Sequence, residues 1–135
     1  ILIIIIIFLL LFLVSKAFAK GTSSSSSTVG TKIPYRKISA QDAKEMIASG
    51  KSLIILDVRT PEEFAAEHIK DAINIANETI GGSRPSSLPD LDATILVYCR
   101  SGARSAQASK KLLALGYTEV YDFGGIINWP FETVR

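Results

Sequence analysis

The sequence is short of reactive side chains: its 135 residues include one Cys, one His, one Met and one Trp. A single thiol excludes an internal disulfide, and with it the disulfide-framed scaffolds of small secreted domains. Neither a metal nor a cofactor is expected. Charge of one sign is also missing, since 15 Lys and Arg stand against 13 acidic residues for a net charge of +2. No basic stripe interleaved with aromatics runs along the chain, which argues against nucleic acid as a partner. No internal repeat is visible, and the length leaves room for one domain.

What the chain does have is an unbroken apolar run, Ile1 to Val14, which inflates the hydrophobic average of 47%. Ser15, Lys16 and then Ala17-Phe18-Ala19 follow. This reads as the hydrophobic core and small-x-small cleavage site of an export signal over residues 1–19, cut after Ala19. A membrane-spanning helix needs about 20 apolar residues, so the run is short for a permanent anchor. The competing reading is an uncleaved N-terminal membrane anchor, lengthened by Ala17 and Phe18 with Lys16 snorkelling. Either way the domain is expected outside the cytoplasm, in a periplasmic or other extracytoplasmic space, with a membrane tether in the second case. The run opens without Met or a basic stretch, so its true start is expected upstream. Residues 20–32, mostly Ser, Thr and Gly, read as a flexible linker, and the domain is expected over 33–135.

Within the domain, Ser39 with Gln41, Asp42 and Glu45 marks a helix start, Ala43, Met46 and Ile47 give it an apolar face, and Gly50 ends it. Leu53 to Val58 is a continuous apolar run, the pattern of a strand buried on both faces, as in parallel sheets. Thr60-Pro61-Glu62-Glu63 opens a second helix, with Thr60 as cap and acids at the positive dipole end. Ala72 to Ile75 is a short apolar segment, and residues 77–92 read as loop. A buried strand from Ala93 to Tyr98, a helix from Ala103 to Leu115 closed by Gly116, a strand from Val120 to Phe123 and a terminal turn holding Trp129 complete the chain. Strands alternating with helices give an α/β fold, and ligands of such folds bind at the carboxyl ends of strands.

At the end of the Ala93–Tyr98 strand the chain reads Cys99-Arg100-Ser101-Gly102-Ala103-Arg104-Ser105, and then a helix begins. Strand, short loop and helix N-terminus together turn a ring of backbone N–H groups toward one point, with the helix dipole adding positive potential. Cys99 stands at the mouth of that ring beside Arg100 and Arg104, which favour its nucleophilic thiolate, and Gly102 frees the backbone to aim its N–H inward. A lone Cys ending a core strand also serves as plain packing. Two arginines, a glycine and a helix converging on one loop favour the reactive thiol.

Leu56-Asp57-Val58-Arg59-Thr60-Pro61-Glu62-Glu63-Phe64, with His68-Ile69, Ala72 and Asn74-Ile75, resembles the first signature of rhodanese domains. The segment from Cys99 to Ser105 resembles their active-site loop, and Gly124-Gly125-Ile126 with Trp129 resembles their closing motif. The likeness runs from about Ile38 to Pro130. It implies a mainly parallel sheet of about five strands flanked by helices on both faces. It also implies a sulfurtransferase that takes sulfane sulfur from a thiosulfate-like donor as a Cys99 persulfide and passes it to cyanide or a thiol. Cys99 is then the nucleophile, and the amides of Arg100, Ser101, Gly102, Ala103 and Arg104 are the anion cradle. Asp57 and Arg59, at the end of the neighbouring strand, are expected either to support the loop from behind, Asp57 through backbone amides and Arg59 through an internal ion pair, or to form a structural pair with no share in catalysis. His68, the only histidine, is expected to pack or cap a turn, and Trp129 to close the core. Glu67 and Lys70-Asp71 replace the Gly and Pro-Gly usual around the His-Ile pair. Asn77-Glu78-Thr79 matches a glycosylation sequon, which matters only in a eukaryotic secretory route.

Two other readings remain: a non-catalytic sulfur carrier or binding module, and a phosphatase or arsenate reductase. In the related phosphatases and reductases the loop holds one residue more. The four residues between Cys99 and Arg104 make a narrower ring that suits sulfur. The oligomeric state is not legible in the sequence.

Overall fold

The computed structural model describes residues 32–135. The expected export or anchor segment, and the linker up to Thr31, lie outside the described residues.

Two helices begin where the sequence signals them. Helix α1, Ala40–Ala48, is capped by Ser39: its Oγ accepts from the Asp42 amide at 3.0 Å, and the Asp42 carboxylate accepts from the Ser39 amide at 3.1 Å. This reciprocal capping box satisfies two amides that a helix start otherwise leaves unpaired. Strand β1, Ile54–Asp57, follows. Helix α2, Pro61–Ala66, repeats the device with Thr60 and Glu63 and places Pro61 at its first position, where no amide is missed. Strand β2 is the pair Ile73–Asn74, β3 is Thr94–Cys99, helix α3 is Ala103–Ala114 and β4 is Glu119–Gly125. Short 3₁₀ turns occupy Asn77–Thr79 and Ile126–Asn128.

The strands form one parallel sheet in the order β2-β1-β3-β4, with Ile55 opposite Leu96 and Leu96 opposite Tyr121. Four strands stand where about five were expected. Alongside β4 the segment before α1 adds a single parallel bridge between Lys37 and Asp122, held by the Ile38 amide on the Asp122 carbonyl and the Asp122 amide on the Arg36 carbonyl. Pro34 brings no amide to a ladder just before it.

Because successive strand residues face opposite ways, the apolar runs feed two cores. Leu56, Ile95, Val97 and Val120 pack with Ala108 and Leu112 of α3 on one face. Ile55, Leu96, Tyr98 and Phe123 pack with Ala43 of α1 and with Trp129 on the other. Leu56, Ile95, Leu96 and Val97 are fully buried, each contributing about 1.5–3 kcal/mol by leaving water. Helices thus flank the sheet on both faces, and β1 and β3, its middle strands, end side by side at one edge. Among the described residues no helix is long and apolar enough to cross a membrane.

Candidate active site

Strand β3 delivers Cys99 to the carboxyl edge of the sheet, and helix α3 starts four residues later. Gly102 is the joint. Its φ of +110° is a left-handed conformation that side chains rarely tolerate, and it turns the Gly102 amide onto the Cys99 sulfur at 3.0 Å. No side chain caps the N-terminus of α3, so the positive end of its dipole is left to the loop.

The far wall comes from the end of β4. Val97 pairs with Asp122 but Cys99 with Gly125, so β4 carries one extra residue there. This bulge brings Gly124-Gly125 against the loop. The Ser105 hydroxyl reaches both the Gly102 carbonyl at 3.0 Å and the Gly124 carbonyl at 3.3 Å, and the Ile127 amide donates to the Arg100 carbonyl. A Cβ on Gly125 would lie against the Arg100 carbonyl oxygen and 2.7 Å from Ser101 Cα. Both are backbone atoms, so the loop would have to move. Gly125→Ala should therefore cost about 1–3 kcal/mol of stability. Denaturant unfolding would check this, and a variant as stable as the parent would show that the wall does not shape the loop.

The sulfur is deeper than a thiol standing at a mouth: Cys99 is 1% exposed. Arg100, Ser101 and Ala103 above it are exposed and form the rim of the site. Arg100 makes no ion pair among the described residues. Arg104 is different, because Glu63 of α2 grips its guanidinium with both carboxylate oxygens, at 2.7 and 2.9 Å. That grip holds the Glu63 carboxyl down to about 2 and raises Arg104, to which the neighbouring Cys99 also contributes. The loop therefore carries less free charge than its two arginines suggest. Glu63 is legible in the sequence as an acid in the first turn of α2, but its hold on Arg104 spans elements far apart in the chain.

Asp57 and Arg59 do form the expected internal ion pair. Asp57 is fully buried and Arg59 5% exposed. The guanidinium donates to Asp57 at 2.6 and 3.0 Å and to the Glu67 carbonyl at 2.6 Å, and the Arg59 amide adds a bond at 2.9 Å. Burial works against the Arg59 charge, and the Asp57 carboxylate more than offsets it. None of these side-chain bonds reaches the 99–105 loop. The pair stands behind the site through the ladder that sets Asp57 beside Tyr98, and the Arg59 guanidinium lies 5.7 Å from the Tyr98 ring.

His68 stacks on Phe64 at 3.9 Å and its Nδ1 meets the Phe64 carbonyl at 2.9 Å, as a packing residue does. Trp129 is 8% exposed and lies against Phe123 and Phe131. One further residue escapes a reading of the sequence. Buried Asp122 accepts from the Gly124 amide at 2.8 Å, pinning the glycine wall, while its other oxygen takes the Tyr35 hydroxyl. The only signal for it is one acid inside an apolar strand, just before Gly-Gly.

Comparison with known proteins agrees with this geometry. A family model for the rhodanese-like domain matches residues 39–130. The thiosulfate sulfurtransferase PspE of Escherichia coli K12 is 39% identical over 80 residues, covering 59% of this chain and 77% of the relative. Thiosulfate sulfurtransferase GlpE of Ectopseudomonas mendocina is 32% identical over 106 residues, covering 75% and 94%. Among solved structures, a rhodanese with anions from E. coli superposes with a TM-score of 0.57 at 34% identity, covering 62% of this chain and 99% of that one. The human single-domain sulfurtransferase TSTD1 does so with 0.61 at 27% identity, covering 71% and 96%. The chain belongs to the rhodanese-like domain family and is an enzyme of the rhodanese type.

Proposed function

We propose that the protein is a sulfurtransferase that carries sulfane sulfur on Cys99 between a thiosulfate-like donor and a thiophilic acceptor, cyanide or a thiol. The hydrogen bond from the Gly102 amide to the Cys99 sulfur carries this reading, together with relatives named thiosulfate sulfurtransferase. An amide aimed at sulfur from an uncapped helix start favours the anionic forms, thiolate and persulfide.

In the first half-reaction the Cys99 thiolate attacks the outer sulfur of thiosulfate. A bond forms between the two sulfurs, the bond to the sulfonate sulfur breaks, and its electron pair leaves with sulfite. The amides of the loop, from Arg100 to Arg104, hold the incoming anion and then the terminal persulfide sulfur. In the second half, cyanide or a thiolate attacks that terminal sulfur, and the Cys99 thiolate leaves. No metal or cofactor enters either step. Asp57 and Arg59 hold the strand end behind Tyr98 rather than touch the reacting atoms.

Intact-mass analysis after thiosulfate treatment tests the proposal: one added sulfur is expected on the parent and none on Cys99→Ser. A parent that stays unmodified, or that instead hydrolyses an aryl phosphate through Cys99, would overturn it. Sulfur loading without turnover to cyanide or thiols would favour a carrier or binding module.

The proposal places the enzyme outside the cytoplasm, on the strength of the apolar run and small-x-small motif at residues 1–19. Fractionation with N-terminal sequencing checks it. A soluble extracytoplasmic form starting at Lys20 marks a cleaved signal and a membrane-bound form an anchor, whereas cytoplasmic recovery refutes export.

A further inference from the structure

The grip of Glu63 on Arg104 has a chemical consequence that the fold does not require. The pair joins the start of α2 to the start of α3 at the rim of the sulfur loop. Its two side chains are 28% and 27% exposed, so neither charge is sealed in the core. Glu78 also lies near enough to act on Arg104, whereas no acidic side chain pairs with Arg100 among the described residues. Helix capping alone does not need the Arg104 contact, since Glu63 Oε2 already accepts from the Thr60 amide at 3.0 Å.

We propose that Glu63 is a positioning residue that masks the charge of Arg104, weakening the hold of the loop on sulfite so that the first product leaves. This inference rests on the sulfurtransferase reading. Thiosulfate and sulfite are both dianions, and both must sit beside Cys99. A loop with two free guanidiniums would hold both tightly. Once the sulfur has moved, sulfite would remain over the persulfide and bar the acceptor. With Arg104 held by Glu63, donor and product both meet a weaker field, in which the amides and Arg100 still bind the donor and the product can leave.

The test is sulfite product inhibition in the thiosulfate:cyanide assay, run on the full chain with purified sulfite. Glu63→Gln keeps an acceptor for the Thr60 amide but lacks the charge. It should tighten sulfite inhibition by about 3- to 10-fold, as one unmasked charge near an anion does, and lower the KM for thiosulfate without raising kcat. Glu63→Asp, which keeps the charge, should stay near the parent, and Glu63→Gln/Arg104→Gln should lose the gain. Arg104→Gln alone leaves Glu63 unmasked and should weaken sulfite inhibition, which keeps the proposal testable even where Glu63→Gln folds poorly. Sulfite inhibition unchanged or weaker in folded Glu63→Gln, or unchanged in Arg104→Gln, overturns the proposal. A parent that never gains sulfur from thiosulfate would instead remove the sulfurtransferase reading, so the two failures are distinct.

Discussion

Cys99→Ser should abolish thiocyanate formation, with a fall on the order of 10³-fold or more, as expected when a nucleophile that forms a covalent intermediate is removed. The hydroxyl that replaces the thiol is not ionised near neutral pH and does not take up sulfur as a persulfide. Stability should barely change. Cys99 is 1% exposed and packs as a small side chain at the end of β3, and serine fills nearly the same space and can accept the Gly102 amide. A change within about 1 kcal/mol is expected. Steady-state assay beside denaturant unfolding separates the two effects. Substantial residual turnover in the serine variant would mean that sulfur passes without touching this side chain.

The largest loss of stability is expected one strand away, at the end of β1. Arg59→Met strands a fully buried Asp57 carboxylate with the backbone amide of residue 59 and the neighbouring Tyr98 hydroxyl in place of a countercharge, and the Glu67 carbonyl loses a donor as well. Breaking a buried pair from one side costs about 3–5 kcal/mol. In a domain of this size that lowers Tm by well over about 10 °C. The double variant Asp57→Asn/Arg59→Met removes the orphaned charge and should recover much of the loss, because the pair itself repays little beyond its own desolvation. Calorimetry on the parent, both single variants and the double variant closes the cycle. If Arg59→Met loses less than about 1 kcal/mol, the carboxylate is reaching water or another partner by some route.

The sequence made the sheet and its helices legible because their signals are local: unbroken apolar runs for β1 and β3, capping acids for α1 and α2, and Gly116 after α3. The count of about five strands came from the family resemblance, and the structure comes close to it with four strands and one further bridge at Lys37. In the site, Cys99 and Gly102 were legible from their place between a strand and a helix. What was not legible depends on pairings across the fold. Arg104 reads as a free cation until α2 brings Glu63 to it, and Asp122 reads as an interruption of β4 until Tyr35 and the Gly124 amide take its two oxygens. The depth of the sulfur was equally hidden, since the end of a strand in sequence says nothing about how closely the next loop folds over it.

The sheet order also shapes how the molecule comes into being. A parallel ladder cannot be closed by a hairpin turn, and β1 has only the two residues of β2 as a neighbour until β3 arrives. A nascent chain that stops short of Thr94 thus has almost nothing to zip together. Assembly must wait for distant stretches to meet, which makes it slower than the closing of local contacts.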